Sequence, residues 1–232
     1  MIHLVTYPAS LGVFSPSPFC VKAAFLLQLS GQDWQREDQH DPRKMPHGKL
    51  PCIRVDGKVI GDSDAIRQYL EENGAEFDAG LSDTEKGLSR ALIRMFEDHL
   101  YFHLMLDRWG DDKVWPKINE TYFGHLPPVI RSILPPLLRR DVLKGLHANG
   151  VSRFSPKDRA RRVDQDLTAF SDLLQDKPFV FGDKPTAIDC TAAAWLGGAR
   201  VSPLPTDLSR RVADDAKLVA YTDRVEEALP IM

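Results

Sequence analysis

The segment Ser17-Pro-Phe-Cys20 puts a hydroxyl three residues before a thiol at what reads as the start of a helix. Serine is favoured just ahead of a helix and proline in its first turn, so Ser17 is assigned as N-cap, Pro18 as N1 and Cys20 as N3. A hydroxyl beside unpaired backbone N–H groups, at the positive end of a helix dipole, suits an anion such as a thiolate. Plain helix capping explains the same residues. Asp62–Ser63 stands ahead of a second helical run, and Thr186-x-x-Asp189 has the spacing of a capping box before an apolar stretch. His99 and His103 lie four residues apart and could share a metal, but the intervening Leu-Tyr-Phe supplies no glutamate and no third ligand is evident. Packing or hydrogen bonding in a helical bundle is the preferred reading of the pair, and no metal is expected.

The remaining chemistry is narrow. Cys20, Cys52 and Cys190 are widely scattered, odd in number and without CxxC or zinc-like spacing, which argues against a disulfide framework or a structural metal. A net charge of −3 gives no general attraction to nucleic acid or acidic membranes. No basic segment followed by a long apolar one opens the chain, and no apolar run approaches the roughly 20 residues needed to span a bilayer. A reducing, cytoplasmic setting is expected.

These residues must be positioned by two kinds of element. Ile2 to Tyr7 reads as a first strand, Phe19 to Leu29 as a helix ending near Ser30–Gly31, and Trp34 to Glu37 as a second strand. After a polar loop from Gln39 to Gly48, Pro51–Val55 and Lys58–Ile60 flank Asp56–Gly57, a strong hairpin signal. Asp62–Ser63 then opens a helix through Leu70, closed by Asn73–Gly74. The order β-α-β-β-β-α fills about 75 residues, one small α/β unit by length. Beyond Ser82 the pattern is helical. Leu88, Leu92, Met95, Phe96, His99, Phe102 and Leu106 recur at helical spacing to about Trp109. The proline pairs of LPPVIRSILPPLL predict an irregular, kinked connection over 126–138. Pro156–Leu174 is a further helix, the Thr186 box opens another with Gly197–Gly198 beyond it, and Leu204–Ile231 predicts one or two short helices.

Taken together, these features resemble the glutathione S-transferase family: a thioredoxin-like α/β domain, residues 1–76, followed by an all-helical bundle, residues 82–232. Four matches carry the resemblance: Ser17-Pro-Phe-Cys20 after the first strand, Lys49-Leu-Pro51 before the third, Gly61-Asp-Ser63 at the helix that follows, and the Thr186–Asp189 box. Ser17-Pro-Phe-Cys-Val-Lys22 and the run EDHLYFHLMLDRW over 97–109 are also similar to the failed-axon-connections and metaxin-related branch, whose members are not all transferases.

The resemblance implies a glutathione site and no metal cofactor. Asp62 would accept from the γ-glutamyl ammonium, and Ser63 with its helix N-terminus would hold the γ-glutamyl carboxylate. Leu50 ahead of Pro51, the proline that is typically cis in the family, would pair its backbone with the tripeptide, and Lys49 would meet the glycyl carboxylate. Ser17 would donate to the sulfur and keep it ionised. Cys20, at the second position of a CxxC whose first position is serine, reads as packing, as does Cys52. Phe14, Tyr101, Met105 and Trp109 are candidate walls for a small apolar electrophile, and a core role serves each equally. A homodimer is implied. The alternative is a non-catalytic binding or adaptor protein on the same fold.

Overall fold

The computed structural model describes residues 1–231. Four strands, β1 (Ile2–Thr6), β2 (Trp34–Asp38), β3 (Cys52–Val55) and β4 (Lys58–Gly61), form one sheet in the order β2-β1-β3-β4. β1 pairs with β2 in parallel and with β3 antiparallel, and β3 with β4 antiparallel. Central β1 is apolar along most of its length because both faces are covered. Helix α1 (Pro18–Ser30) makes the parallel connection from β1 to β2 and stops at Gly31, whose φ of 68° is the left-handed conformation of a helix end. Asp56 and Gly57, both at positive φ, turn β3 into β4 as the Asp-Gly pair requires. Gly61 closes β4 where no side chain fits: a Cβ there would lie 2.6 Å from Pro46 Cβ. Helix α2 (Ser63–Glu72) completes this half.

The helical part begins at α3 (Asp83–Arg94), capped by a reciprocal Ser82–Glu85 box. It passes through one π-helical turn, Met95–Leu100, into α4 (Tyr101–Gly110) with helical dihedrals maintained at both junctions. α5 (Trp115–Phe123), α6 (Pro128–Asn149), α7 (Pro156–Leu174), α8 (Ala187–Arg200), α9 (Asp207–Ala213) and α10 (Ala216–Ala228) follow. The strands, the long helical segment, the Pro156–Leu174 helix and the short terminal helices agree with expectation.

Two expectations are corrected. From Pro128 onward the 126–138 segment is helix, not an irregular connection. Pro127 and Pro128 sit at the N-cap and first position of α6, where a missing N–H costs nothing, and Pro135 and Pro136 lie inside the helix. The carbonyls that lose partners there belong to Arg131 and Ser132 on the solvent side, and the helix is held against α4, with Arg139 Nε donating to the Trp109 carbonyl at 2.8 Å. Likewise Gly197–Gly198 does not end α8, which continues through both to Arg200.

α1 is buried on nearly every side, packed between the sheet and α8. One buried residue is charged. Lys22 is 2% exposed, and its Nζ donates to Glu97 Oε1 at 2.6 Å and Asp64 Oδ1 at 2.9 Å. Glu97 projects from the π-helical turn and Asp64 from the first turn of α2, so one ammonium joins α1, α2 and the α3–α4 rod. Arg94 pairs with both carboxylates and Arg90 with Asp64. Burial alone would raise the Asp64 carboxyl, but Lys22, Arg90 and Arg94 hold it well below the usual carboxylate range. Burial pushes the Glu97 carboxyl up, with Lys22 pulling against it.

A second polar anchor lies at the start of α8. Asp189, fully buried, accepts from the Val180 and Thr186 amides, the Thr186 hydroxyl and the Tyr221 hydroxyl, all at 2.8–2.9 Å. The expected box is therefore present and extends to α10 through Tyr221.

Asp189→Ala leaves these donors unpaired in the core and is expected to cost about 3 kcal/mol in urea unfolding. Lys22→Met strands two carboxylates and is expected to cost a similar 3–5 kcal/mol, roughly the cost of breaking a buried ion pair. Adding Glu97→Gln to Lys22→Met should recover part of that loss. Additive losses in the double variant would contradict the network.

Candidate functional site

The site begins with the loop from β1 to α1. Ser17 has extended dihedrals, and its Oγ accepts from the Cys20 amide at 3.4 Å, as an N-cap does. A hydroxyl that accepts still carries its own proton, so this bond leaves the O–H of Ser17 available to a second partner. The Ser17 amide in turn donates to Ser15 Oγ, 3.4 Å away and buried.

Two arginines fix the loop. From β2, Arg36 donates to the Tyr7 and Phe14 carbonyls at 3.3 and 2.9 Å and lies 4.1 Å from the Phe14 ring centroid. From α4, Arg108 donates to the Pro16 carbonyl at 2.5 Å. The residue ahead of the helix start is thereby tied to the helical part of the molecule.

Cys20 lies beneath this helix start with no exposed surface. Burial pushes its thiol up, against weaker pulls from Thr6, the Tyr7 backbone, Ser17 and Ser15. Cys52 is likewise pushed up, to about 11. Neither is poised as a thiolate, in agreement with their reading as packing residues.

The second part of the site is the turn before β3. The Leu50–Pro51 peptide is cis. The Leu50 side chain packs in a small core with Val5, Cys20 and Cys52, which fixes this turn against the start of α1. The amide and carbonyl of Leu50 make no hydrogen bond among the described residues. Such a backbone is an edge on which an extended peptide can pair. Lys49 is exposed, and its amide donates to the Pro46 carbonyl at 3.3 Å.

The third part adjoins the second. The Asp62 amide donates to the Pro51 carbonyl at 3.2 Å, carrying the β3–β4 ladder one step beyond its last pair. Asp62 adopts φ 80° and caps α2, its Oδ1 accepting from the Asp64 and Ala65 amides at 2.8 and 3.4 Å. A non-glycine residue held at positive φ is costly, and such positions gather at ligand sites. Ser63 follows at the first position of α2, buried. Asp64, locked by Lys22, Arg90 and Arg94, holds that helix start still.

Ser17, Leu50, Pro51, Asp62 and Ser63 are thus joined through one strand end, with Lys49 at its margin. Tyr101, Met105 and Trp109 recur every four residues and share a face of α4. The Tyr101 ring meets Phe19 of α1 edge-on at 4.8 Å, and Trp109 stacks near Trp115 at 5.2 Å. Burial pushes the Tyr101 phenol up to about 12, against the pull of Arg108. Phe14 is engaged from β2, by Arg36 and by an edge contact with Trp34 at 6.3 Å. His99 Nδ1 lies 2.5 Å from Asp166 Oδ2, and burial lowers His103 to about 4. The two rings meet edge to face at 4.9 Å. Two surface grooves, of about 730 Å³ along α6 and about 800 Å³ beside α2, are lined by neither Ser17 nor Leu50.

Lys22, Glu97 and Arg108 stand within the runs 17–22 and 97–109 that carry the branch resemblance, but the sequence assigns none of them a role of its own. A lone lysine within AAFLLQ was a signal for Lys22, since a charge in an apolar helix demands a partner. Arg108 carried no such mark, because its partners are backbone carbonyls distant in sequence.

Comparison with known proteins agrees with the fold. Sequence models of the glutathione S-transferase N-terminal and C-terminal domains match residues 18–114 and 163–225. The chain is 32% identical to the isoprene-epoxide–glutathione S-transferase of Rhodococcus sp. (strain AD45), over the full length of both. It is 28% identical to Failed axon connections of Drosophila melanogaster, over 84% of this chain and 49% of that protein. Among solved structures, glutathione transferase GSTFuA3 of Phanerochaete chrysosporium superposes with a TM-score of 0.69 at 16% identity, over 100% of this chain and 98% of the other. With a thioredoxin-like sheet, a helical C-terminal part and a full-length relative of this kind, the chain belongs to the glutathione S-transferase family.

Proposed function

We propose that the protein is a glutathione transferase acting on a small, mainly apolar electrophile. The observation that carries the reading is the packing of Leu50 against Cys20, which sets an unpaired backbone edge beside the helix start capped by Ser17. Glutathione would lie along that edge. Its γ-glutamyl carboxylate would sit at Ser63 on the N-terminus of α2, its ammonium at Asp62 and its glycyl carboxylate towards Lys49. Its sulfur would reach the start of α1.

An ordinary thiol titrates near ~8.5, and bringing it to about 6.5 takes roughly 2.7 kcal/mol of preference for the thiolate. One hydroxyl hydrogen bond from Ser17 together with the α1 dipole is of that size. The thiolate would attack an electrophilic carbon, forming an S–C bond as the leaving bond to oxygen or halide breaks. The full-length relative named for an epoxide supports a strained ether as the first substrate class to examine. In that case the ring C–O bond opens and the alkoxide takes a proton from solvent. Tyr101, Met105 and Trp109 on one face of α4 would form the apolar wall, with Phe14 bordering the loop. The same reading makes the protein a cytoplasmic homodimer.

A second reading, a non-catalytic binding protein on this fold, is favoured by the similarity to Failed axon connections, whose name carries no transferase activity. Calorimetry with glutathione, and conjugation assays with a small epoxide, separate the two. Binding with turnover is expected of the wild type. Ser17→Ala should retain binding within a few-fold while losing about 100-fold in kcat at neutral pH, the usual scale for removing one preorganised donor. Its pH–rate profile should shift to higher pH. Binding without turnover would establish the second reading, and turnover indifferent to Ser17→Ala would overturn the assigned mechanism.

A further inference from the structure

Arg108 is 3% exposed, yet it makes no ion pair among the described residues. Arg36, Arg67, Arg139, Arg200 and Arg211 are all more exposed, and each pairs with a carboxylate. The partners of Arg108 are neutral: the Pro16 carbonyl at 2.5 Å and the Tyr122 hydroxyl at 3.3 Å from Nη1, and the Gly198 carbonyl at 2.7 Å from Nη2. Its Nε is buried with no partner. Asp107, the neighbouring carboxylate, takes its bond from the Thr206 hydroxyl at 3.0 Å, and burial raises it to about 6. A buried cation without a counter-charge is costly, and the cost falls when an anion enters its neighbourhood.

The Pro16 carbonyl belongs to the same peptide unit as the Ser17 amide, so the guanidinium lies against the helix start where the sulfur would arrive. The titratable groups around it are Tyr101 and Asp107 of α4 and Tyr122 of α5, with Cys20 of α1 beyond Tyr101. None of these forms an ion pair with it: burial keeps Tyr101 and Cys20 protonated, and Asp107, although close enough to feel the charge of Arg108, takes its hydrogen bond from Thr206.

We propose that Arg108 is a positioning residue of the sulfur site, fixing Ser17 through the Pro16 carbonyl and supplying the buried positive charge that the bound thiolate matches. The proposal rests on the glutathione reading above and adds a device the α/β half does not contain. α4 and α8, joined at Arg108 through the Gly198 carbonyl, take part in setting the thiol chemistry.

The test compares Arg108→Lys, which keeps charge and a donor, with Arg108→Gln, which keeps a donor alone. The readout is the pH midpoint at which bound glutathione becomes thiolate, followed by its ultraviolet absorbance under saturation. Arg108→Gln should move the midpoint up by about one pH unit, lowering the ratio of thiolate to thiol about tenfold, while Arg108→Lys should leave the midpoint within about 0.3 pH unit of wild type. Equal midpoints in all three proteins would overturn the charge role. In unsubstituted protein, the Arg108 Nε–H resonance should shift through the same midpoint, and an invariant resonance would overturn that role even where a variant fails to fold. Should wild type not bind glutathione, the transferase reading fails by itself. The positioning role then rests on ligand-free hydrogen exchange, where Arg108→Gln should speed exchange at Phe19 to Val21 at least tenfold over wild type while α8 beyond Gly198 is unchanged. Unaltered exchange there would overturn it.

Discussion

The ammonium of Lys22 is the interaction on which the rest of the molecule depends. It is buried in the middle of α1, where a charge is affordable only if matched, and its two carboxylate partners come from different parts of the chain. Asp64 belongs to the first turn of α2 and Glu97 to the π-helical turn of the long rod. Neutralising one lysine therefore requires that α1, α2 and α3–α4 meet in a single arrangement. The π turn falls where Glu97 reaches inward, which fits the tendency of such turns to appear where a side chain must be re-aimed. Arg90 and Arg94 complete the balance of charge around Asp64, so that the whole cluster, rather than any one pair, is satisfied.

The proposed site inherits its rigidity from that cluster. Ser63 is held because its neighbour Asp64 is held, and Asp62 is held because its amide continues the β3–β4 ladder onto Pro51. Leu50 reaches from the same turn into the small core around Cys20, so the start of α1 and the start of α2 are connected through one strand end. The loop carrying Ser17 has little regular structure and is fixed from outside, by Arg36 on one flank and Arg108 on the other. Ser17 can both cap and donate because a hydroxyl accepts at its lone pairs while its proton stays free. The N-cap geometry and the proposed chemistry do not compete.

Much of this was legible in residue order. The alternation and turn signals of the first 75 or so residues specify β-α-β-β-β-α because each rests on local chemistry: Asp56–Gly57 tolerates positive φ, Ser17–Pro18 starts a helix, and Gly31 ends one. The Thr186–Asp189 box was readable for the same reason, although its extension to Tyr221 on α10 was not. What failed was long-range. The proline pairs predicted a break, but the first pair opens α6 and the second lies within a helix packed on α4, where tertiary contact outweighs two missing donors. In the site, Ser17, Pro51, Asp62 and Ser63 were visible as a pattern. Arg108 was not, since its role depends on carbonyls roughly ninety residues away on either side.

The most direct test of the central claim, one glutathione site assembled from three chain segments, is an amide-resolved NMR titration of the intact protein with reduced glutathione. Saturable shifts are predicted at Phe19 and Cys20, at Leu50 and Cys52, and at Asp62 to Ala65, all fitting a single dissociation constant. Shifts confined to one of these segments, or saturating instead along α6, would contradict it.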